Sequence, residues 1–580
     1  MKILIGKDIR EADLRTIENE PVRSIDLMER AAVAAEKLIV SYSEQNSSVA
    51  SFHGFQDVPE YLIVAGKGNN GGDGLAVARL LSDRFGNSRR ISVLSVFPPE
   101  ELSHDCRINF DRLPAGIERY EMDGDRIVRS SPVPEGRARG LFNQNTVIVD
   151  ALLGTGVSGA VKEPVRRAVR QINSVSGLCR QVISIDLPSG LPTEPDILIS
   201  PDVVVSDVTI TMEFPKLSLL LPETGRFAGK VAVAKISLDR KFMKSAHSEY
   251  CALDRDVIRR LMKPRGEYDN KGTHGHALLI AGCSGMMGAA VLCAGAALRS
   301  GCGLVSVRVP AQERKVIHIS HPSAIVSPDP APVFSSLPDN LSRYSSIAVG
   351  PGLGQKQDTV AAMKCLLSSM SPDKHKAFAR SGAFEPHVKT LVLDADALNI
   401  ISFHPDMFGL IPSGAVLTPH VGELSRLLRA ALSSGFITRD VSSAEETPVF
   451  GDFVCDSRNV PATSYYPWRN DMDKIVLVRA LCRRLSSVIV VKGAHTMICA
   501  PDGKCLFNMT GNPGMAKGGS GDILTGLVAG LAARGYDSLS AAILGVWFHG
   551  LAGDKAAASY GIESMNSSDI LEFLRIDLTF

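Results

Sequence analysis

A glycine- and serine-rich stretch near the end of the chain, Asn508 to Gly526, combines the residue types that bind a phosphate with a carboxylate. It reads NMTGNPGMAKGGSGDILTG, with a short apolar run before it and an apolar, helix-like run after it. Glycines let backbone N–H groups approach an anion closely, and a helix that begins there directs the positive end of its dipole at the same point. Asp522 closes the loop, where it could take a proton from a hydroxyl beside the phosphate. The stretch therefore predicts a phosphoryl-transfer site with its own base or, as the simpler alternative, a glycine turn capped by Asp522.

The composition allows large soluble cores and indicates no bulk preference for nucleic acid or membrane. The 580 residues allow about two to four domains, and the net charge is +1. The hydrophobic content of 45% allows large cores. The 11 cysteines include no C-x-x-C pair, which argues against a disulfide framework or a zinc site. The first residues are too charged for a signal peptide and too acidic for a transit peptide, so we expect a cytoplasmic protein.

Three Gly-rich loops in the first half each follow an apolar, strand-like run. YLIVAG precedes NNGGDG, TVIVDALLGTG carries Asp150 where its strand ends, and VISIDLPSG carries Asp186 and Ser189 in the same way. Helix-like segments alternate with these runs, which predicts an α/β domain whose ligand site lies at the carboxyl ends of parallel strands. Each acid alone is better explained as a cap or turn residue, whereas the three together favour a binding site.

These motifs, with LMERAA before them, resemble the NAD(P)HX epimerase family, the YjeF N-terminal domain. The resemblance implies a Rossmann-like three-layer domain at residues 1–240 that interconverts the R and S forms of hydrated NADH or NADPH. It implies that Asp150 moves protons at the hydrated carbon and that Asn70, Asp150 and Ser189 hold a potassium ion, a role that oxygen ligands suit. The implied substrate contacts are Asn69, Asn70, Gly71, Gly72, Asp73, Gly154, Thr155, Gly156, Val157, Ser158, Gly159, Ala160 and Asp186.

The second half begins after a linker around residues 241–248 and again alternates strands with helices. An uncharged segment at 277–298 is nearly long enough to span a bilayer, but its glycines divide it into strand, loop and helix. The later runs SIAVGPGLG, TLVLDADALNII, AVLTPHVGE and VIVVKGAHTMICAP predict a second α/β domain with a largely parallel sheet. Residues 430–472 are polar and aperiodic, which predicts a surface insertion.

These runs and the Gly-Ser loop resemble the NAD(P)HX dehydratase family, the YjeF C-terminal domain with its ribokinase-like fold, in its bacterial ADP-using form. The resemblance implies a domain at residues 249–580 that uses ADP with Mg²⁺. The implied substrate contacts are Gly352, His420 and Asp522, of which Asp522 is also the catalytic base. Lys492 could instead be a surface lysine after a buried strand, and His420 could simply cap a helix. The implied nucleotide contacts are Lys492, Gly493, Ala494, His495, Thr496, Asn512, Pro513, Gly514, Met515, Ala516, Lys517, Gly518, Gly519, Ser520 and Gly521.

The favoured hypothesis is a two-domain metabolite-repair enzyme. Its first half would epimerise R and S hydrated NAD(P)H, and its second half would dehydrate the S form with ADP, giving AMP and phosphate. Asp522 would deprotonate the substrate hydroxyl, the oxygen would attack the terminal phosphate, and the phosphate ester would then eliminate. One alternative is a ribokinase-type small-molecule kinase with a regulatory N-terminal nucleotide-binding domain. Another is a non-enzymatic binding role for the first half.

The same hypothesis fixes the expected partners. They are hydrated NADH or NADPH and ADP, with ATP left open as the phosphoryl donor. We expect a homo-oligomer and no nucleic-acid or membrane partner.

Overall fold

The computed structural model describes residues 1–45, 58–124, 126–131, 140–157, 159–195, 200–370, 390–439 and 466–577. The described chain divides into two compact units, Lys2–Tyr250 and Cys251–Phe580, and Met1 belongs to the second. Of the predicted insertion at 430–472, residues 440–465 lie outside the described ranges, as does Ser158 among the predicted substrate contacts.

An eight-stranded sheet forms the centre of the N-terminal unit, in the order β4-β3-β2-β1-β5-β6-β7-β8. Every neighbouring pair is parallel except β3 with β4. Because the strand order reverses at β1, a crevice opens beyond the carboxyl ends of β1 and β5, which is the ordinary ligand position of such sheets. The strands are β1 (Glu60–Ala65), β2 (Ile91–Ser95), β3 (Glu118–Asp123), β4 (Arg126–Arg129), β5 (Thr146–Ala151), β6 (Gln181–Ile185), β7 (Val208–Met212) and β8 (Lys230–Ala234).

Helices cover this sheet, and its central strands are mostly apolar because both of their faces are buried. Residues of α2 and α3 pack with β1, β2 and β5 in one core, while residues of α5 pack with the same sheet in a second core. The helices are α1 (Lys7–Asn19), α2 (Ser24–Gln45), α3 (Asn69–Phe85), α4 (His104–Asp111), α5 (Val165–Val175), α6 (Pro222–Gly225) and α7 (Arg240–Ser245).

A ten-stranded sheet forms the centre of the C-terminal unit, in the order β12-β11-β10-β13-β14-β15-β16-β17-β18-β9. The pairs from β12 to β16 are parallel, and β16–β17 and β17–β18 are antiparallel. The strands are β9 (Tyr250–Ala252), β10 (His276–Ile280), β11 (Leu304–Pro310), β12 (Ile325–Asp329), β13 (Ser346–Val349), β14 (Thr390–Leu393), β15 (Val416–Leu417), β16 (Val488–Val491), β17 (Met497–Cys499) and β18 (Cys505–Phe507).

The α/β class predicted for both halves is confirmed, with one difference in the last part of the chain. The run VIVVKGAHTMICAP is divided between β16 and β17, which form an antiparallel hairpin around the KGAHT turn. The helices of this unit are α8 (Arg255–Leu261), α9 (Met287–Arg299), α10 (Arg314–Ser320), α11 (Gln357–Met370), α12 (Ala395–Phe403), α13 (Val421–Ser433), α14 (Asp471–Leu485), α15 (Ser520–Ala533), α16 (Ser538–Tyr560) and α17 (Ser567–Phe573).

Close packing of α15 against α9 fixes the position of the Gly-Ser loop, because α15 begins where that loop ends. A Cβ atom on Gly526 would lie 2.0 Å from the carbonyl oxygen of Cys293, so only glycine permits this approach. The α9 side of the contact is built from small buried residues such as Ala294 and Ala297. Within the described ranges, no helix combines the length and apolarity needed to cross a bilayer.

Candidate active sites

The Gly-Ser loop is held from outside by side chains, which leaves the space beside Gly518 without steric cover. Asn512 caps the short 3₁₀ turn Pro513–Met515 by accepting a hydrogen bond from the amide of Gly514 at 3.0 Å. The Asn512 side chain in turn donates to Asp554 at 3.1 Å. A Cβ on Gly518 would meet nothing within 4 Å. The loop is therefore rigid in its frame and open where an anion would approach.

Lys517 also holds the Gly-Ser loop in place. Its ammonium donates to the carbonyl oxygen of Glu563 at 2.6 Å and also to that of Met565. This lysine therefore ties the loop to the chain before α17, and its ammonium already has two protein acceptors.

Asp522 lies in the first turn of α15 but does not cap it. The cap residue is Gly519, in the left-handed region at φ 92°, and it makes no side-chain capping bond. The simpler explanation of Asp522 as an N-cap is therefore wrong. Burial and then the negative charge of Asp394 raise the pKa of Asp522 to about 6, while the positive charge of Lys492 acts in the opposite direction. A carboxylate with this pKa is an effective base near neutral pH.

A buried ion pair lies beneath the start of α15. Lys492, at the end of β16, donates to Asp394 at 2.8 Å, and Thr525 of α15 donates to the other oxygen of Asp394 at 2.6 Å. Glu423 lies 3.7 Å from the same ammonium. Burial disfavours the ammonium, but the two carboxylates raise the pKa of Lys492 above its usual value. Lys492 is therefore a charged, mostly buried residue and not the surface lysine that the sequence also allowed.

Asp394 was not among the predicted site residues, although it belongs to the quoted motif LDADALN. It follows β14 directly, at the carboxyl edge of the parallel sheet. The signal that could have found it is its position, which matches that of Asp150 after an apolar strand. His549 was also missed; it lies in the apolar helix α16, and its Nε2 is 3.2 Å from the hydroxyl of Ser520. Burial lowers the pKa of His549 to about 4, so it is neutral.

Two further predicted contacts, His420 and Gly352, follow the parallel strands β15 and β13 at the same edge of the sheet. His420 caps α13, since its Nδ1 accepts from the amides of Gly422 and Glu423 and the Glu423 carboxylate accepts from the His420 amide. The capping explanation of His420 is therefore correct, and its ring remains 55% exposed and able to contact a ligand. Gly352 has φ 62°, and a Cβ there would lie 2.9 Å from Ala289.

Asp150 is the most enclosed carboxylate of the N-terminal unit. It is fully buried at the end of β5 and accepts four hydrogen bonds, from the amides of Leu152 and Ser189 and the hydroxyls of Ser184 and Ser189, at 2.6–3.2 Å. Burial raises the pKa of Asp150, and these hydrogen bonds lower it. Within the described ranges no lysine or arginine pairs with it, so its charge is balanced by dipoles alone.

Asn70 supplies an oxygen that has no partner within the protein. Its amide nitrogen donates to the carbonyl of Leu153 at 2.9 Å, while its Oδ1 is buried without a hydrogen bond among the described residues. The glycines beside it allow α3 to start against the sheet: a Cβ on Gly71 would lie 2.0 Å from the carbonyl oxygen of Gly66, and one on Gly72 would lie 2.7 Å from Met28. The glycines of the NNGGDG motif are thus required for packing as well as forming part of the predicted site.

A cavity of about 710 Å³ lies beyond the carboxyl ends of these strands. Asp150 and Ser189 are fully buried and do not line this cavity. Asp186 adopts φ 67°, a rare conformation for a residue with a side chain, and is paired with the buried Lys216. Of the predicted substrate contacts, those that line the cavity are Asn69, Asn70, Asp73, Gly154, Thr155, Gly156 and Asp186.

Comparisons with known proteins match both units of the chain. The family model described as NAD(P)H-hydrate dehydratase matches residues 277–575, and the one described as YjeF-related protein N-terminus matches residues 24–218. The bifunctional NAD(P)H-hydrate repair enzyme of Moorella thermoacetica is 30% identical over 99% of this chain and 96% of its own. The chain belongs to the bifunctional NAD(P)H-hydrate repair enzyme family. A second member, from Thermofilum pendens, is 30% identical over 99% of this chain and 95% of its own.

Among solved structures, the ADP/ATP-dependent NAD(P)H-hydrate dehydratase of Bacillus subtilis, co-crystallised with ATP and Mg²⁺, is similar to part of the chain. It is 24% identical, and the match covers 56% of this chain and 96% of that one with a TM-score of 0.40. In this member of the repair enzyme family, the predicted site residues of both units lie inside the matched segments. The lining of the N-terminal cavity extends beyond them, because Arg10 and Asp13 precede residues 24–218 and Ile236 and Leu238 follow them.

Replacing Asp394 by Asn should strongly destabilise the C-terminal unit of this repair enzyme. The change leaves the buried Lys492 ammonium with only the more distant Glu423, which should cost about 3 kcal/mol or more of unfolding free energy. Urea denaturation followed by tryptophan fluorescence measures this selectively, because the chain's 2 tryptophans, Trp468 and Trp547, both belong to this unit.

The matched control is Asp406→Asn, which breaks the Lys364–Asp406 pair, whose two side chains are more than half exposed. This control should cost little stability, because solvent screens an exposed pair. Adding Lys492→Met to Asp394→Asn should restore part of the lost stability. Equal losses in the two single Asp variants would contradict the importance of the buried pair.

Proposed function

We propose that the chain epimerises R and S hydrated NADH or NADPH in its N-terminal unit and dehydrates the S epimer with ADP in its C-terminal unit, giving AMP and phosphate. One observation carries the proposal: Asp522, with a pKa raised to about 6, lies in the first turn of α15 beside an open Gly-Ser loop. A base and an anion cradle at one point suit transfer of a phosphoryl group to a hydroxyl. The homo-oligomeric state and the cytoplasmic location stay predictions.

The first step makes a leaving group. Asp522 takes the proton from the hydroxyl of the S epimer, and that oxygen attacks the terminal phosphorus of ADP, which releases AMP. The amides at the start of α15 and the dipole of that helix hold the phosphate charge. The phosphate ester then leaves as inorganic phosphate, and loss of a proton from the adjacent carbon restores the double bond. The result is the dehydrated cofactor, because phosphate leaves far more readily than hydroxide.

The Asp394–Lys492 pair serves this step through its effect on Asp522. Asp394 raises the pKa of Asp522, whereas Lys492 lowers it, and the two partly offset each other. Since Lys492 is already neutralised by Asp394 and Glu423, the loop amides and helix dipole are the main attraction for the incoming phosphate. We therefore propose that Lys492 balances the charges of Asp394 and Glu423 beneath the loop, in addition to contacting the nucleotide.

The donor set beside the loop suits a magnesium ion that arrives with the nucleotide. Within the described residues, no group of three or more His, Cys, Asp or Glu side chains is arranged to hold a metal. Mg²⁺ commonly binds through one or two carboxylates together with substrate phosphates and water, so a protein cage is not needed. Asp522 is the carboxylate beside the loop that could make such a contact, since both oxygens of Asp394 accept hydrogen bonds from Lys492 and Thr525. Bound Mg²⁺ would neutralise charge on the phosphates.

The N-terminal unit suits a potassium ion held by Asn70, Asp150 and Ser189. Asn70 offers a buried oxygen without a partner, and Asp150 is a buried carboxylate without a paired lysine or arginine in the described chain. A hard monovalent cation prefers such oxygen ligands. When bound, the ion would polarise the substrate and fix the loops around it. That Asp150 moves protons stays an untested prediction, and its burial away from the cavity lining favours the role of cation ligand instead.

The Asp522→Asn variant tests the proposed chemistry. It keeps the size of the side chain and removes the base, so NADH formation from S-NADHX and ADP should fall at least about 100-fold, with little change in the KM for ADP. In the wild type, kcat/KM should fall as the pH drops below about 6, because protonation removes the basic form of Asp522. NADH absorbance and released phosphate, measured together, report the reaction.

Asp502→Asn is the matched control, since this aspartate lies 57% exposed on a turn. It should retain wild-type activity. An Asp522→Asn variant with more than a tenth of wild-type activity would exclude Asp522 as the base. A wild-type reaction that accumulates a stable phosphorylated product without NADH would contradict dehydration itself.

Replacing K⁺ by a bulky organic cation should slow epimerisation and leave dehydration of the S epimer unchanged. We expect a loss of about tenfold or more, together with a lower thermal midpoint of the N-terminal unit, because an ion that binds only the folded state stabilises it. Asn70→Ala should lose both responses to K⁺, since it removes one proposed ligand. Epimerisation and melting that are independent of the cation would contradict the potassium site.

A further inference from the structure

The charged residues that line the N-terminal cavity come from several elements. Three are carboxylates, one each from α1, α3 and the end of β6, and the most buried positive charge is Lys216. The charged lining residues are Arg10, Asp13, Lys67, Asp73, Asp186 and Lys216. Epimerisation needs a group that moves a proton on the substrate, so we asked which of these can contact a ligand in the cavity. The inference below rests on the proposed epimerase function.

Lys216 and Asp186 are occupied by each other and by the protein. The Lys216 ammonium donates to Asp186, to the hydroxyl of Thr211 at 3.1 Å and to the carbonyl of Met212 at 3.1 Å. These three acceptors match its three donor hydrogens. Asp186 also accepts from the amide of Met212 at 3.3 Å. The pair is therefore a fixed charge framework in the cavity wall.

Asp150 and Asp73 are poorly placed for proton transfer, each for a different reason. Asp150 accepts four hydrogen bonds, is 0% exposed and does not line the cavity. Asp73 lines the cavity, but burial and the charges of Asp186 and Asp13 raise its pKa well above the usual value. Burial and these charges therefore favour the protonated form of Asp73, which can donate a hydrogen bond to the substrate and is poorly suited to accept its proton.

Asp13 has the access that the other carboxylates lack. It lies on α1, its side chain is exposed towards the cavity, and within the described part of the chain it has no hydrogen-bond or ion-pair partner. We propose that Asp13 is the catalytic acid–base residue of the epimerase site, acting on the hydroxyl of the hydrated nicotinamide. Asp186 and Lys216 position the substrate around it.

The reaction follows from the chemistry of a hydrated enamine, whose hydroxyl is on the carbon bonded to the ring nitrogen. Protonated Asp13 gives its proton to that hydroxyl, the C–O bond breaks, and its electron pair leaves with water. The nitrogen lone pair forms a C=N⁺ bond. Water then adds to the opposite face of the carbon, the C=N⁺ electrons return to nitrogen, and Asp13 recovers its proton. The nearby carboxylate of Asp186 favours the transient cation electrostatically.

The surroundings of Asp13 support this role. The enclosing cavity walls raise the pKa of Asp13 to about 6; Lys216 lowers it and Asp186 raises it. Arg10 on the same helix, Lys67 before α3 and Asp73 on α3 are the other charged groups around the cavity. Both protonation states of Asp13 are therefore populated near neutral pH, as a residue that donates and recovers a proton requires.

The test uses the full chain without ADP, so that only epimerisation proceeds, and follows R and S NADHX by chromatography. Asp13→Asn should lose at least about 100-fold of the acceleration over the uncatalysed rate, and Asp13→Glu should recover part of it. In the wild type, the enzymatic rate should fall about tenfold per pH unit above about 6, because only protonated Asp13 can donate. This dependence should be absent from Asp13→Asn.

Glu11→Gln is the control on the same helix; Glu11 pairs with Arg15 at 2.6 Å and lies outside the cavity lining. It should epimerise at the wild-type rate. Asp13→Asn at the wild-type rate, or with the wild-type pH profile, would overturn the proposal. So would an Asp13→Asn variant that melts at a lower temperature than Glu11→Gln, since that assigns Asp13 to folding. A wild type that does not accelerate epimerisation at all would instead overturn the proposed function.

Discussion

The ion pair between Asp394 and Lys492 lies where the sheet of the C-terminal unit meets α15, and the site depends on it. Thr525 joins it from the helix, so the pair fixes both the first turn of α15 and the loop before it. Burial and then the negative charge of Asp394 raise the pKa of Asp522, while the positive charge of Lys492 lowers it, so the pair tunes this carboxyl group. The start of the helix, the proposed anion cradle and the proposed base are thus all linked to one buried contact.

The N-terminal unit also buries a carboxylate at its site, but without a paired lysine or arginine among the described residues. Asp150 occupies an equivalent place after a buried strand, but four hydrogen bonds replace the lysine. A buried carboxylate satisfied only by dipoles favours a nearby cation, and Asn70 has a buried oxygen without a partner among the described residues. The single buried lysine of the cavity is committed to Asp186. Both sites therefore place carboxylates at the carboxyl edge of parallel strands and differ in what neutralises them.

The strand and helix order could be predicted because buried parallel strands are apolar runs and the loops after them are glycine-rich. The sequence could not distinguish an N-cap from a base at Asp522, since that depends on Gly519 adopting a left-handed conformation. Asp13 and Lys216 lie 203 positions apart and meet only in the folded cavity. His549 could not be predicted as a site residue, because it lies in an apolar helix, where a histidine is usually a core residue.

The central claim is that one chain returns both epimers of a hydrated cofactor to NADH. The most direct measurement incubates the protein with mixed R and S NADHX, ADP, Mg²⁺ and K⁺, and follows NADH, AMP and phosphate together. The account predicts complete recovery of NADH, with one AMP and one phosphate formed for each NADH. Recovery that stops when the S epimer is consumed, or nucleotide consumption without NADH, would contradict it.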